Sequence, residues 1–183
     1  MSRKYKFGDS SKLYFLSFAT INWIDVFIRD EYRHIILNSF KLCQEKKGLE
    51  IYAYCIMTSH IHMIISSEEN KLENIIRDLK SYTSTQMRSA INDNPIESRK
   101  EWMLWMIKRA GLKNSNNNDY QFWQQNNHPI ELYNYEMAKQ KLDYTHNNPV
   151  EAGFVSKPED WLYSRARNYC GMEGLVDVIL IFG

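Results

Sequence analysis

Cysteine, net charge and long apolar runs are what this chain has least of. Its three cysteines, Cys43, Cys55 and Cys170, are odd in number and lack C-x-x-C spacing. That excludes a disulfide frame and a zinc knuckle and fits reduced thiols. No apolar run approaches the ~20 residues of a membrane span, so no membrane partner is expected. The opening stretch MSRKYKFGDSSKLYF carries no apolar core of the signal-peptide kind, and the expected location is cytoplasmic. Lys and Arg number 23 against 22 Asp and Glu, a formal net charge of +1. A whole-chain basic signature is therefore absent, and a nucleic-acid partner would need a local basic surface. No internal repeat is visible. The expectation is a single domain over residues 1–183, with a basic arm at 1–12 and a C-terminal tail at 150–183.

Aromatic residues are plentiful, at 14% with 12 Tyr and 5 Trp, which suits a packed core and base stacking alike. Leu13 to Ile21 reads as a strand. From Arg29 to Lys47, Tyr32, Ile35, Ile36, Ser39, Phe40 and Cys43 recur at helical spacing, and Gly48 supplies a stop. Residues 51–67 read as two paired strands. A second helix follows over about 71–91 with a buried stripe of Leu72, Ile75, Ile76, Leu79 and Thr83, opened by an Asn70–Glu73 capping box. Lys100 to Ala110 reads as a short helix, NSNNND at 114–119 as a flexible polar loop and Phe122 to Gln124 as a returning strand. Pro129 is expected to open a last long helix that ends at Pro149. The order suits one antiparallel sheet with helices on one face, a ferredoxin-like α+β arrangement, plus the C-terminal helix and tail.

Two segments carry chemistry. In the second paired strand, His60 and His62 share one face with Ile64, while Ile61, Met63 and Ile65 share the other. Two imidazoles on a rigid strand can bind one metal ion and need a third ligand from elsewhere. A half-exposed polar strand face would show the same spacing. In the last helix Tyr144 and Asn148 lie one turn apart on the same side, off the face marked by Tyr135, Ala138 and Leu142. A tyrosine beside an amide, opposite a histidine pair, suggests a nucleophile next to a metal ligand. An ordinary interface aromatic is the alternative.

The segment YCIMTSHIHMII resembles the His-hydrophobic-His strand of the HUH single-tyrosine transposases, the IS200-like group. LDYTHNNPVEAGFVSKPEDWLYSRARNY is similar to the tyrosine helix and tail of their REP-associated tyrosine transposase branch, and FWQQ to its Phe-Trp segment. The resemblance implies a metal-dependent enzyme that nicks single-stranded or hairpin DNA, at repeated palindromic elements, and transfers the strand. His60, His62 and Asn148 would hold Mg²⁺ or Mn²⁺. Tyr144 would attack phosphorus and form a 5′-phosphotyrosine. A phenol has an ordinary pKa of about 10 and needs help to ionise. The resemblance also leaves room for a homodimer in which the tyrosine helix is exchanged. Thr58-Ser59 departs from the Pro-Asn or Pro-Glu of many relatives, and residues 92–121 form a longer insert.

Arg77, Lys80, Arg88, Lys108 and Arg109 make a candidate DNA-contacting set, with solvated helix charge as the plain alternative. Lys141 and His146, near Tyr144 in sequence, could contact phosphate or simply be solvated. Trp102 and Trp105 are expected to be mostly core. Two other readings stand beside the transposase: a hairpin-binding regulator without cleavage, and a metal phosphodiesterase without a covalent intermediate.

Overall fold

The computed structural model describes residues 6–114, 119–125 and 127–182. Arg3 and Lys4 of the expected basic arm, and the centre of the expected flexible loop at 115–118, lie outside the described residues. Four strands, β1 (Tyr14–Ala19), β2 (Glu50–Ile56), β3 (His60–Ser66) and β4 (Ile130–Glu131), form one antiparallel sheet in the order β2-β3-β1-β4. Helices α1 (Asp30–Lys47), α2 (Leu72–Asp93) and α3 (Lys100–Leu112) lie between strands in sequence, followed by α4 (Tyr135–Glu151) and a short α5 (Ala166–Tyr169). That strand order and connectivity are the ferredoxin-like α+β arrangement.

Strand alternation sorts the side chains into two layers. Tyr14, Leu16 and Phe18 of β1 and Ile61, Met63 and Ile65 of β3 join α1, α2 and α3 in the larger core. Phe15, Ala53 and Ile64 face the other way and pack with Ala138 and Leu142 of α4. The sheet is thus sandwiched, with α4 alone among the long helices on the second face. A bulge between Ile51 and Ala53 shifts the alternation of β2, so that Ile51, Tyr54 and Ile56 enter the larger core and Ala53 the smaller one.

Helix ends show where local signals win and where tertiary partners do. Gly48 adopts φ 62° and its N–H bonds the Cys43 carbonyl, so α1 stops where the glycine permits a left-handed turn. α2 begins at Leu72 with no cap from its own Lys71. Instead the hydroxyl of Ser10 accepts from the Leu72 N–H, while Asn70 donates to the Lys47 carbonyl, so the expected Asn70 capping box does not form. Pro129 does not open α4 either. The backbone first makes β4, and Asn134 then caps the helix by accepting from the Met137 N–H at 2.8 Å. Phe122–Gln124 is not a full strand; Trp123 bridges to Thr20 alone.

The tail folds back on its own chain. Ser164 bridges to Cys55, Arg165 N–H donates to the Tyr54 carbonyl at 3.0 Å, and Ile179 N–H donates to the Ile51 carbonyl at 3.0 Å. Tyr135 and Phe182 meet with ring centroids 4.7 Å apart, which pins the start of α4. Among the described residues no helix is long and apolar enough to cross a membrane.

Candidate active site

β3 presents His60 and His62 to α4. His62 lies between Ser17 of β1 and Cys55 of β2 and is only 4% exposed. Its ring stacks on Phe15 with centroids 5.7 Å apart and an 18° tilt. His60 opens the strand, and the two imidazoles stand 4.8 Å apart at 78°. Burial, helped by His60 and Lys141, pushes His62 down to about 3. Burial also lowers His60, against an opposing hydrogen bond between its ring and the Asn148 amide. Both rings are therefore neutral near pH 7, the form that offers a lone pair to a metal.

α4 supplies the facing side chains. Leu142 and Ala138 anchor the helix on the sheet, and Tyr144 then stands 5.0 Å from the His62 ring at 71° and 5.9 Å from Phe15 at 74°. It is 38% exposed, so its ring is packed while one side stays open to solvent. The Lys141 ammonium lies 4.8 Å from the Phe15 centroid and 5.5 Å from that of Tyr144. Pro149 sits inside the helix and contributes no N–H, which leaves the Thr145 carbonyl without its helical donor. The helix survives only to Glu151, and Gly153 at φ 75° follows its end. Asn148 thereby falls in the final turn.

A divalent cation fits these residues. Both ring nitrogens of His62 are buried without a hydrogen-bond partner, which is costly unless something binds them. Two imidazoles and an amide oxygen leave coordination positions open, unlike a closed structural zinc site. Among the described residues no group of three His, Cys, Asp or Glu is placed to hold a metal.

The remaining predicted residues disperse. His146 turns its ring to Tyr169, 5.0 Å away, and burial pushes it down to about 4, so it carries no charge for a phosphate near pH 7. Lys80 is spent internally, donating to the Gln124 carbonyl at 2.7 Å and to Asn127 at 2.6 Å, with burial lowering it to about 8. Arg77 pairs with Asp78 at 3.1 Å. Arg88 covers the Tyr120 ring at 4.1 Å and shares with Lys108 a groove of about 650 Å³ between α2 and α3. Arg109 covers Trp105 at 5.0 Å. These cations lie on helices that cover the sheet face opposite Tyr144. Trp102 and Trp105 are not core: they are 47% and 53% exposed, because Met103 and Ile107 occupy the buried side of α3.

Sequence reasoning missed two residues at the site. Phe15 could have been found, since strand alternation sets it apart from Leu16 and Phe18 and hence on the histidine face. Trp23, whose ring lies 5.3 Å from His60, had no such signal, since it falls between the expected strand ending at Ile21 and the expected helix beginning at Arg29.

A family model described as "Transposase IS200 like" matches residues 14–107, just over half the chain, a span that holds both histidines and ends before α4. A protein of Haemophilus influenzae provisionally named a REP-associated tyrosine transposase is 28% identical over 156 residues, covering 83% of this chain and 78% of that protein. A solved structure of a REP-associated tyrosine transposase bound to a REP hairpin superimposes with a TM-score of 0.67 at 15% identity, covering all of this chain and 94% of that one. At that identity the likeness is one of fold.

Proposed function

The chain belongs to the IS200-like transposase family, and from that premise we propose that it cleaves and rejoins single-stranded or hairpin DNA through Tyr144. The observation that carries the reading is the packing of Tyr144 on His62, with Asn148 one turn further along the same helix α4. A nucleophile beside neutral metal-ligand side chains, open to solvent on one side, is what phosphodiester cleavage by a phenol needs.

In this reading the Tyr144 oxygen attacks phosphorus. A phosphorus–tyrosine bond forms and the bond to the 3′-oxygen breaks. The phenol proton passes to solvent, and the released oxygen takes one up as a 3′-OH. The DNA 5′ end stays on the enzyme as a phosphotyrosine, so a later 3′-OH can reverse the step without an external energy source. Lys141, beside the tyrosine ring, favours the negative phosphate. Phe15 holds the tyrosine and His62 rings in register and keeps water from beneath them. A divalent cation such as Mg²⁺ or Mn²⁺, held by His60, His62 and Asn148, would supply Lewis-acid polarisation of the scissile phosphate. The hairpin in the structural neighbour supports a folded DNA partner for this chain too.

The test is cleavage of end-labelled hairpin DNA, with and without Mn²⁺ or Mg²⁺, by the unchanged protein and by Tyr144→Phe. Metal-dependent cleavage lost in the variant supports the reading. Cleavage that persists in Tyr144→Phe would assign a phosphodiesterase instead. Tight hairpin binding without cleavage by either would assign a regulator.

A further inference from the structure

Trp23 touches His60 of the histidine pair yet is 58% exposed. Its ring meets His60 edge-on at 5.3 Å and 70°, while Tyr144 meets His62. One solvent-exposed aromatic therefore flanks each histidine, with the buried Phe15 beneath His62.

The backbone that presents Trp23 is unusual. Asn22 and Trp23 are consecutive non-glycine residues at φ 50° and 54°. Asparagine tolerates this left-handed region, but a bulky side chain rarely adopts it. The surroundings over-determine it. Thr20 N–H donates to the Ser59 carbonyl at 2.9 Å and its hydroxyl to the Ile24 carbonyl at 2.7 Å. Phe27 N–H donates to the Thr58 carbonyl at 2.8 Å, and Ile21 N–H to the Phe122 carbonyl at 2.8 Å. Ile21, Ile24, Val26 and Phe27 are buried beneath. The segment is thus fixed to the turn that launches β3, and the one aromatic side chain among those it leaves in solvent, Asn22, Trp23, Asp25 and Ile28, is an indole. Strain kept in place by its neighbours, beside a reactive centre, points to a role in that centre.

We propose that Trp23 is a stacking platform for an unpaired nucleobase next to the scissile phosphate. This rests on the reading above, that a single strand crosses the histidine pair. A phosphate held over His60 and His62 brings the adjoining nucleoside, on the side away from Tyr144, to the indole. Stacking there uses the π face that every base has, so it is tolerant of sequence. It also selects unpaired DNA, because a base inside a duplex is not free to stack on protein. The stacked base fixes the register of the strand and hence which phosphate faces Tyr144. Trp23 in this role is a positioning residue.

The test is a cycle between the base and the indole, measured by fluorescence anisotropy at one fixed salt concentration. The probes are a labelled oligothymidylate of about 20 nucleotides and an abasic strand of equal length, a span that covers any binding register. All proteins carry Tyr144→Phe to prevent cleavage. Trp23→Ala is expected to weaken binding of the oligothymidylate about fivefold or more and to leave the abasic strand unchanged, which also shows that the variant is folded. Trp23→Tyr is expected to recover most of the loss. An equal effect on both strands, or none on either, overturns the platform while single-strand binding stands. Failure of the Trp23-bearing protein to bind either strand overturns the single-strand reading, and the platform with it.

Discussion

The rings of Tyr144 and His62 meet edge to face with centroids 5.0 Å apart, and one helical turn later the Asn148 amide lies on the His60 side, where it opposes the lowering of that ring by burial. Two periodicities make this double contact possible. Four residues of α-helix rise about 6 Å, and two residues of strand advance about 6.7 Å. A Tyr-x-x-x-Asn helix laid on a His-x-His strand therefore matches it at both ends. Leu142 and Ala138, buried against Ala53 and Ile64, hold the helix at that height.

Tyr144→Phe removes the nucleophilic oxygen and keeps the ring. The packing on His62 and Phe15 survives, so thermal stability should stay within about 1 kcal/mol of the parent. Covalent protein–DNA species should vanish. Calorimetry and denaturing gels check the two halves, and a large loss of stability would mean that the hydroxyl is structural.

His62→Phe should stabilise the metal-free protein while abolishing cleavage. The change relieves two buried, unpartnered ring nitrogens and keeps a flat ring on Phe15. A gain of about 1–2 kcal/mol is expected, read as a higher denaturant midpoint with chelator present. A lower midpoint would show that His62 stabilises the fold by itself.

Acid should destabilise the protein before its carboxylates titrate. Burial pushes His62 down to about 3 and His146 down to about 4, from an ordinary value of 6.5. Below pH 6.5 the unfolded chain takes up protons that the native chain refuses, so stability falls as the pH drops from about 6.5 towards those folded values and is flat above. Urea midpoints at pH 5.0 and 7.5 check this, and the slope should be shallower in His62→Phe. Equal midpoints in the parent would contradict the buried, neutral state of both rings.

Glu97→Ala should cost about 3 kcal/mol. The carboxylate is buried and pairs with Arg29 at 2.6 Å and Arg99 at 3.5 Å, and it joins Tyr32 to the start of α3. Chemical denaturation measures the loss, and a cost under about 0.5 kcal/mol would show an idle pair. DNA cleavage per folded molecule should be unchanged.

What was legible in the sequence is what local periodicity encodes. The stripe of Leu72, Ile75, Ile76, Leu79 and Thr83 is buried as expected. Alternation does put His60, His62 and Ile64 on one face of β3 and Ile61, Met63 and Ile65 on the other. The misreadings share a cause, a partner distant in sequence. Ser10 caps α2 in place of Asn70. Asn127 and Gln124 claim Lys80, which composition alone makes look solvated. Trp102 and Trp105 stay outside because one face of α3 is narrow and already filled. Trp23 owes its place to a left-handed backbone that its residue type argues against. Glu97, which lies in no expected element, has its meaning only through Arg29, 68 residues away.

The most direct measurement is mass spectrometry of the proteolysed product of a reaction with hairpin DNA and Mn²⁺. The account predicts a peptide containing Tyr144 that carries a 5′-phosphorylated nucleotide on the phenolic oxygen, and a free 3′-OH on the released strand. Cleaved DNA with no nucleotide on Tyr144, or an adduct on another residue, would contradict it.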